Sequence, residues 1–156
     1  NKADKPVEKA DYERVAKGAL MLPSDSKQIN KARGFALKAI EGTDENTGFF
    51  AWFSFCVGLA EYRSGNFEES VKWCNESLEH TTNTHFHHQG LNNIVLSMIY
   101  FKTSRQVESE EAQKAAEQAL NSLKAKDWNN HDTVLIELLL KERELLGSNN
   151  SPKESK

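Results

Sequence analysis

The sequence predicts an all-α fold: three antiparallel helix pairs and a seventh, closing helix. Three observations predict it. Apolar residues recur at three- and four-residue steps along the chain, and no segment alternates as a half-buried strand would. The connections between these segments are short and carry helix-capping residues and glycines. One spacing of small residues recurs in the second helix of each pair.

The first helix is marked by Tyr12, Val15, Ala16 and Ala19, and the second by Ile29, Ala32, Ala36, Ala39 and Ile40. Phe49, Trp52, Phe53, Cys56 and Ala60 mark the third; Phe67, Ser70, Val71, Cys74 and Leu78 mark the fourth. Leu91, Ile94, Val95 and Met98 give the fifth, and Ala112, Ala115, Ala116, Ala119 and Leu123 the sixth. Leu135, Leu138, Leu139, Glu142 and Leu146 give the last. Asp25 with Gln28, and Asn66 with Glu69, have the spacing of a reciprocal cap, in which each side chain bonds the other's backbone. Gly42, Gly65 and Gly147 suit left-handed helix ends. Only the stretch HTTNTHFHHQG, starting at His80, is long enough to be irregular. The expected domain runs over residues 6–147, with polar, flexible ends at 1–5 and 148–156.

A chain of 156 residues with 38% apolar and 28% charged content is sized for one buried core. Its formal charge of -3, with Lys and Arg gathered into no basic stripe, argues against nucleic acid as a ligand. The longest apolar run, FFAWFSFCVGLA from Phe49, is shorter than the roughly 20 residues of a membrane span and reads as a buried helix. Cys56 and Cys74 fall inside helices and are too few for a disulfide scaffold. With no signal peptide opening the chain, they read as buried thiols in a reducing, cytoplasmic compartment.

The internal repeat is the more informative feature. Ala32, Ala36, Ala39 and Ile40 are matched by Ser70, Cys74, Ser77 and Leu78, and again by Ala112, Ala116, Ala119 and Leu120, at offsets of 38 and then 42 residues. Small side chains at such places let the backbones of two paired helices approach. Gly58 and Ser97 are small residues at matching places of the partner helices.

The segment FSFCVGLAEYRSGNFEESVKWCNESLE resembles a tetratricopeptide repeat. Gly58 falls on the small close-packing place of the family's first helix, Gly65 on its turn, and Phe67 on the aromatic that opens its second helix. Ser70, Ser77 and Leu78 fall on its small-small-large packing set. The flanking pairs, residues 8–41 and 85–124, fit more loosely, and Thr82 stands near where the family places a proline. GLAEYRSGNFEESVKW and DWNNHDTVLIELLLKERELL are also similar to the helical tails of multidomain bacterial Ser/Thr kinase signalling proteins. What the resemblance implies is a right-handed stack of helix pairs with a protein-interaction or scaffold role. No kinase motif or glycine-rich phosphate loop is present.

The family's first helices line a concave groove. Carried over, the groove-facing places are Trp52, Phe55, Leu59, Tyr62 and Arg63 on one helix and Leu91, Ile94, Met98, Phe101 and Lys102 on the next. The expected occupant is a peptide or helix of a protein partner. Where carboxylate-binding members place asparagine, this chain has Cys56 and Val95, which weakens the case for a carboxylate clamp. Such a groove is either open to a partner or closed by neighbouring helices of the same chain. Arg63 and Lys102 are expected to be exposed at its rim.

No catalytic residue, cofactor or metal is expected. Glu68 with Glu69, and Glu108 with Glu110 and Glu111, sit where helix N-termini favour negative charge. His131 and Asp132 read as a helix start. The sequon at Asn75 lies mid-helix. The alternative is a metal-binding or enzymatic helical domain centred on His85 and His88, which are three residues apart with His80 upstream. Without further ligands at fixed spacing, that corner reads as polar and solvated.

Overall fold

In a computed structural model, residues 8–82, 84–127 and 130–149 are described; the predicted flexible end at 1–5 lies outside them, as does most of 148–156. Among the described residues there are seven helices and no strand. They are α1 Lys9–Leu20, α2 Ser26–Ile40, α3 Gly48–Arg63, α4 Phe67–Glu79, α5 Phe86–Lys102, α6 Gln106–Ala125 and α7 His131–Ser148. They fall into two compact units, one holding α1 to α4 and the other α5 to α7.

In the first unit α3 packs against α1, α2 and α4. This is why it is apolar nearly all round: from Phe50 to Tyr62 every residue except the half-buried Trp52 is buried. The small set of α2, Ala32, Ala36 and Ala39, is buried, as are Ser70, Cys74 and Ser77 of α4. A β-carbon on Gly58 would lie 2.9 Å from Cys74 Sγ and 3.3 Å from its backbone nitrogen, so only glycine allows α3 and α4 this approach. Ser70 Oγ donates to Gly58 O at 2.7 Å and Ser77 Oγ donates to Ala51 O at 2.7 Å, so both serines find partners within the interface.

In the second unit α7 packs against α5 and α6. Gly90 makes room there, since a β-carbon on it would meet Ile136 Cδ1 at 2.6 Å and Ala119 Cβ at 3.6 Å. The predicted irregular stretch is shorter than expected, because α5 begins at Phe86 and takes in His87, His88 and Gly90.

The hairpins α3/α4 and α5/α6 turn in the same way. Gly65 has φ of 79° and Ser104 has φ of 60°. Asn66 N donates to Glu61 O at 2.9 Å, and Arg105 N donates to Tyr100 O at 2.8 Å. Ser64 Oγ donates to Ala60 O at 2.8 Å, and Thr103 Oγ1 donates to Ile99 O at 2.9 Å. Ser70 Oγ bonds Gly58 O at 2.7 Å, and Ser109 Oγ bonds Ser97 O at 2.8 Å. Every partner is displaced by 39 residues (58 to 97, 70 to 109). The offset of 42 taken from the alanines is therefore about one helical turn too long near the turn of the hairpin. Spacing within a helix face repeats every three or four residues and cannot distinguish those registers, whereas the turn can.

The α1/α2 hairpin closes differently. Its helix ends are satisfied by distant cations: Lys9 Nζ donates to Glu41 O and, at 3.0 Å, to Thr43 Oγ1, while Arg63 from α3 donates to Leu20 O at 3.1 Å and Met21 O at 3.3 Å. Several caps also depart from expectation. Asp25 accepts from Gln28 N at 2.9 Å, but the Gln28 side chain meets Ser24 Oγ at 2.7 Å instead of bonding back. Asn66 makes no side-chain cap; its amide donates to buried Glu61 at 2.6 Å. Gly42 has φ of 61° at the end of α2, as predicted, but Gly147 lies inside α7. Asn130, not His131 or Asp132, caps α7 by accepting from Asp132 N at 2.9 Å and Thr133 N at 3.2 Å.

Candidate functional site

The predicted groove positions divide sharply by chemistry. Phe55, Leu59, Leu91, Ile94 and Met98 have 0% exposure and lie in the core; Tyr62 keeps 5%. Trp52 is half-buried, with Lys17 Nζ 5.2 Å from its ring centre. These apolar places are buried, as a core filled by neighbouring helices would require. Of the rim cations, Lys102 is exposed and Arg63 is not. Arg63 is half-buried because its guanidinium caps the end of α1 and lies 5.4 Å from the Tyr62 ring.

Phe101 is half-buried beneath a residue that periodicity did not single out. Arg143 of α7 has its guanidinium carbon 4.1 Å from the Phe101 ring centre. Its Nε donates to Ser97 Oγ and Ser109 Oγ, each at 3.2 Å, and its Nη2 donates to Ser109 Oγ at 3.0 Å. Meanwhile Ser97 Oγ donates to Ser109 O at 2.7 Å and Ser109 Oγ returns the bond to Ser97 O. One cation thus locks α7 onto the crossing of α5 and α6. Burial pulls its pKa below the ordinary arginine value, and Glu110 pulls the other way.

Charge also lies inside the first unit. Lys17 Nζ is 2.8 Å from Glu13 Oε1, and both side chains are buried, with Cys56 Sγ 3.7 Å from Glu13 O. Buried Glu61 accepts from Arg33 Nε at 2.7 Å and so ties α3 to α2. Sequence periodicity missed Glu13, Lys17, Glu61 and Arg143 because it scores charged side chains as exposed, and these are buried as pairs or hydrogen-bonded.

The histidine corner is less solvated than expected. His85 is exposed, but His88 keeps only 3% exposure, their rings 5.8 Å apart. His87 Nε2 lies 3.5 Å from Thr133 Oγ1, and His131 Nε2 lies 3.3 Å from Asp132. Among the described residues no three His, Cys, Asp or Glu side chains converge to hold a metal ion. Cys56 and Cys74 are free and buried. Burial pushes the Cys74 thiol up to about 12 and raises Cys56 further, helped by the negative charge of Glu13.

Among the described residues no helix is long and apolar enough to cross a membrane. Compared with protein-family models, curated proteins and solved structures, the chain matches none.

Proposed function

We propose that the chain is a non-catalytic protein-interaction or scaffold module, built of tetratricopeptide-like helix pairs with a closing helix. The observation that carries this reading is the recurrence of one hairpin: the same turn bonds and the same serine-to-carbonyl bond appear at 58 and 70 and again at 97 and 109. Hairpins whose two helices bury their small faces against each other leave their remaining faces to bind other chains. The buried polar groups fit this reading, since Arg63, Glu61 and Arg143 join helices to each other and are committed to structure. Similarity to the helical tails of bacterial signalling proteins fits a scaffold role in the cytoplasm, where two free thiols stay reduced. The test is affinity capture from a native cell extract, followed by identification of what is bound. A protein enriched over a helical control of equal size and charge supports the reading, and no enrichment overturns it.

A further inference from the structure

Helix α1 is rotated relative to its own apolar pattern, while α2 buries its predicted small residues. On α1 the side that enters the core carries Glu13, Ala16, Lys17 and Leu20, whereas the apolar residues Val15 and Ala19 are exposed. Val15 keeps 56% of its surface in water, and Leu22, just beyond the helix, keeps 60%. Tyr12 lies on the same stripe, half-buried, and stacks on half-buried Phe35 of α2 with ring centres 5.9 Å apart. Positions 12, 15 and 19 are spaced as one helix face, and they point away from α3, which the other face of α1 meets through Lys17 on Trp52 and Glu13 on Cys56.

The border of this face is charged in one sense only along α2. Between Ser26 and Ile40 there are Lys27, Lys31, Arg33 and Lys38 and no Asp or Glu. Arg33 turns to Glu61, leaving Lys31 and Lys38 exposed one turn to either side of Phe35, with Lys38 Nζ 5.6 Å from the Tyr12 ring. The sequence alone shows no basic stripe, but the helix aligns these lysines. The α1 border is mixed, Asp11 lying 3.4 Å from Arg14.

We propose that the outer face of the α1/α2 hairpin, made by Tyr12, Val15, Ala19 and Phe35 and edged by Lys31 and Lys38, docks an amphipathic helix of a partner protein whose apolar stripe is flanked by Asp or Glu on the side that meets α2. The proposal rests on the chain being an interaction module and names the surface and the chemistry of its partner. The occupant is a helix because a crease between two helices offers no backbone groups for pairing, so the partner must satisfy its own. The opposite face of the same hairpin already packs a helix, α3. Charge complementarity sets the orientation, since the lysines aligned along α2, which has no Asp or Glu of its own, favour carboxylates and fix register.

The test uses the full chain and a labelled helical peptide of about five turns, with Leu at three- and four-residue spacing and Glu along one flank, against the same peptide with Lys in place of Glu. Fluorescence anisotropy is expected to show the Glu peptide binding at least about tenfold more tightly, with the preference weakening as salt rises. The variant carrying Lys31→Glu and Lys38→Glu, both exposed, is expected to reverse the preference, and Val15→Asp to abolish binding of both peptides. Should Val15→Asp unfold by circular dichroism, the lysine variant alone decides. Failure of the Glu peptide to bind, equal affinity for the two peptides, or an unreversed preference overturns the proposal. So does binding of a DNA duplex more tightly than the peptide, or a dimer in sedimentation that Val15→Asp dissolves. If the peptide fails while a native protein is still captured, docking lies elsewhere and the interaction reading stands. If nothing is captured, that reading itself falls.

Discussion

Arg143 shows how a single side chain closes a unit. Its guanidinium supplies three hydrogen bonds to two serines and covers the Phe101 ring, so a charge is buried without being left unsatisfied. Replacing it by Ala leaves both serine hydroxyls bonded to carbonyls but removes what holds α7 on the α5/α6 crossing. Urea unfolding should show a loss of about 2 kcal/mol. Arg143→Lys should recover less than half, because an ammonium cannot fork to both serines. A loss below about 0.5 kcal/mol for the alanine variant, the scale of an ordinary surface change, would show that the contact is incidental. The cysteines give a second check at this scale. With folded-state pKa values raised by burial, their contribution to stability is full below about pH 9, the ordinary thiol value, and is lost as pH rises toward 12. Stability should therefore fall more steeply above pH 9 in the wild-type chain than in a Cys56→Ala, Cys74→Ala variant. At pH 8 a thiol reagent should modify neither cysteine until the chain is unfolded; rapid modification of the native chain would contradict the burial. None of this was legible in the sequence for Arg143, since a lone arginine on an apolar helix looks like a solvated one, whereas the cysteines lay on the predicted core face and were found there.

At the scale of the element, the hairpin is the unit that the sequence reveals best. Seven apolar-periodic segments correspond to seven helices among the described residues, and the small residues Ala32, Ala36, Ala39, Ser70, Cys74, Ser77, Ala112, Ala116 and Ala119 are all buried. Side-chain size carries that information directly, because close backbones exclude anything larger. The register of the last pair was less legible, because Gly65 announces a left-handed turn and Ser104, doing the same at φ of 60°, does not. The orientation of α1 was least legible: its apolar residues suggested Val15 and Ala19 as core, yet α3 receives Glu13 and Lys17, whose mutual ion pair makes their burial tolerable. The paired turns make a prediction of opposite signs. Ser104→Gly relieves a left-handed backbone that side chains adopt at a cost of about 1 kcal/mol or more, partly offset by the entropy of glycine, and should stabilise by about 0.5 kcal/mol. Gly65→Ala imposes that cost and should destabilise by about 1 kcal/mol. Thermal melting of both variants checks this, and changes of the same sign would show that the two turns are not equivalent.

For the whole molecule, the polar network is turned inward. Glu61, Arg63 and Arg143 each bond another helix of their own unit, and Phe55, Leu59, Leu91, Ile94 and Met98 have no exposure. Among the described residues the exposed large apolar side chains are Val15, Leu22, Phe49, Val107, Val134 and Leu145. Val15 lies on α1 with Leu22 just beyond it, and Val134 and Leu145 lie on α7, while of the positions carried over from the repeat family Lys102 is exposed and Trp52, Arg63 and Phe101 are half-buried. That outcome could not be read from sequence, because the same apolar residues suit an open groove and a filled core. The most direct test of the interaction account is the thermal midpoint of the folded chain titrated with the protein it captures, in the presence of a chelator. A partner that binds only the native state raises the midpoint by an amount that grows with the logarithm of its free concentration. The account predicts that rise, undiminished by the chelator; a midpoint indifferent to the captured protein, or a rise that disappears when metal is removed, would contradict it.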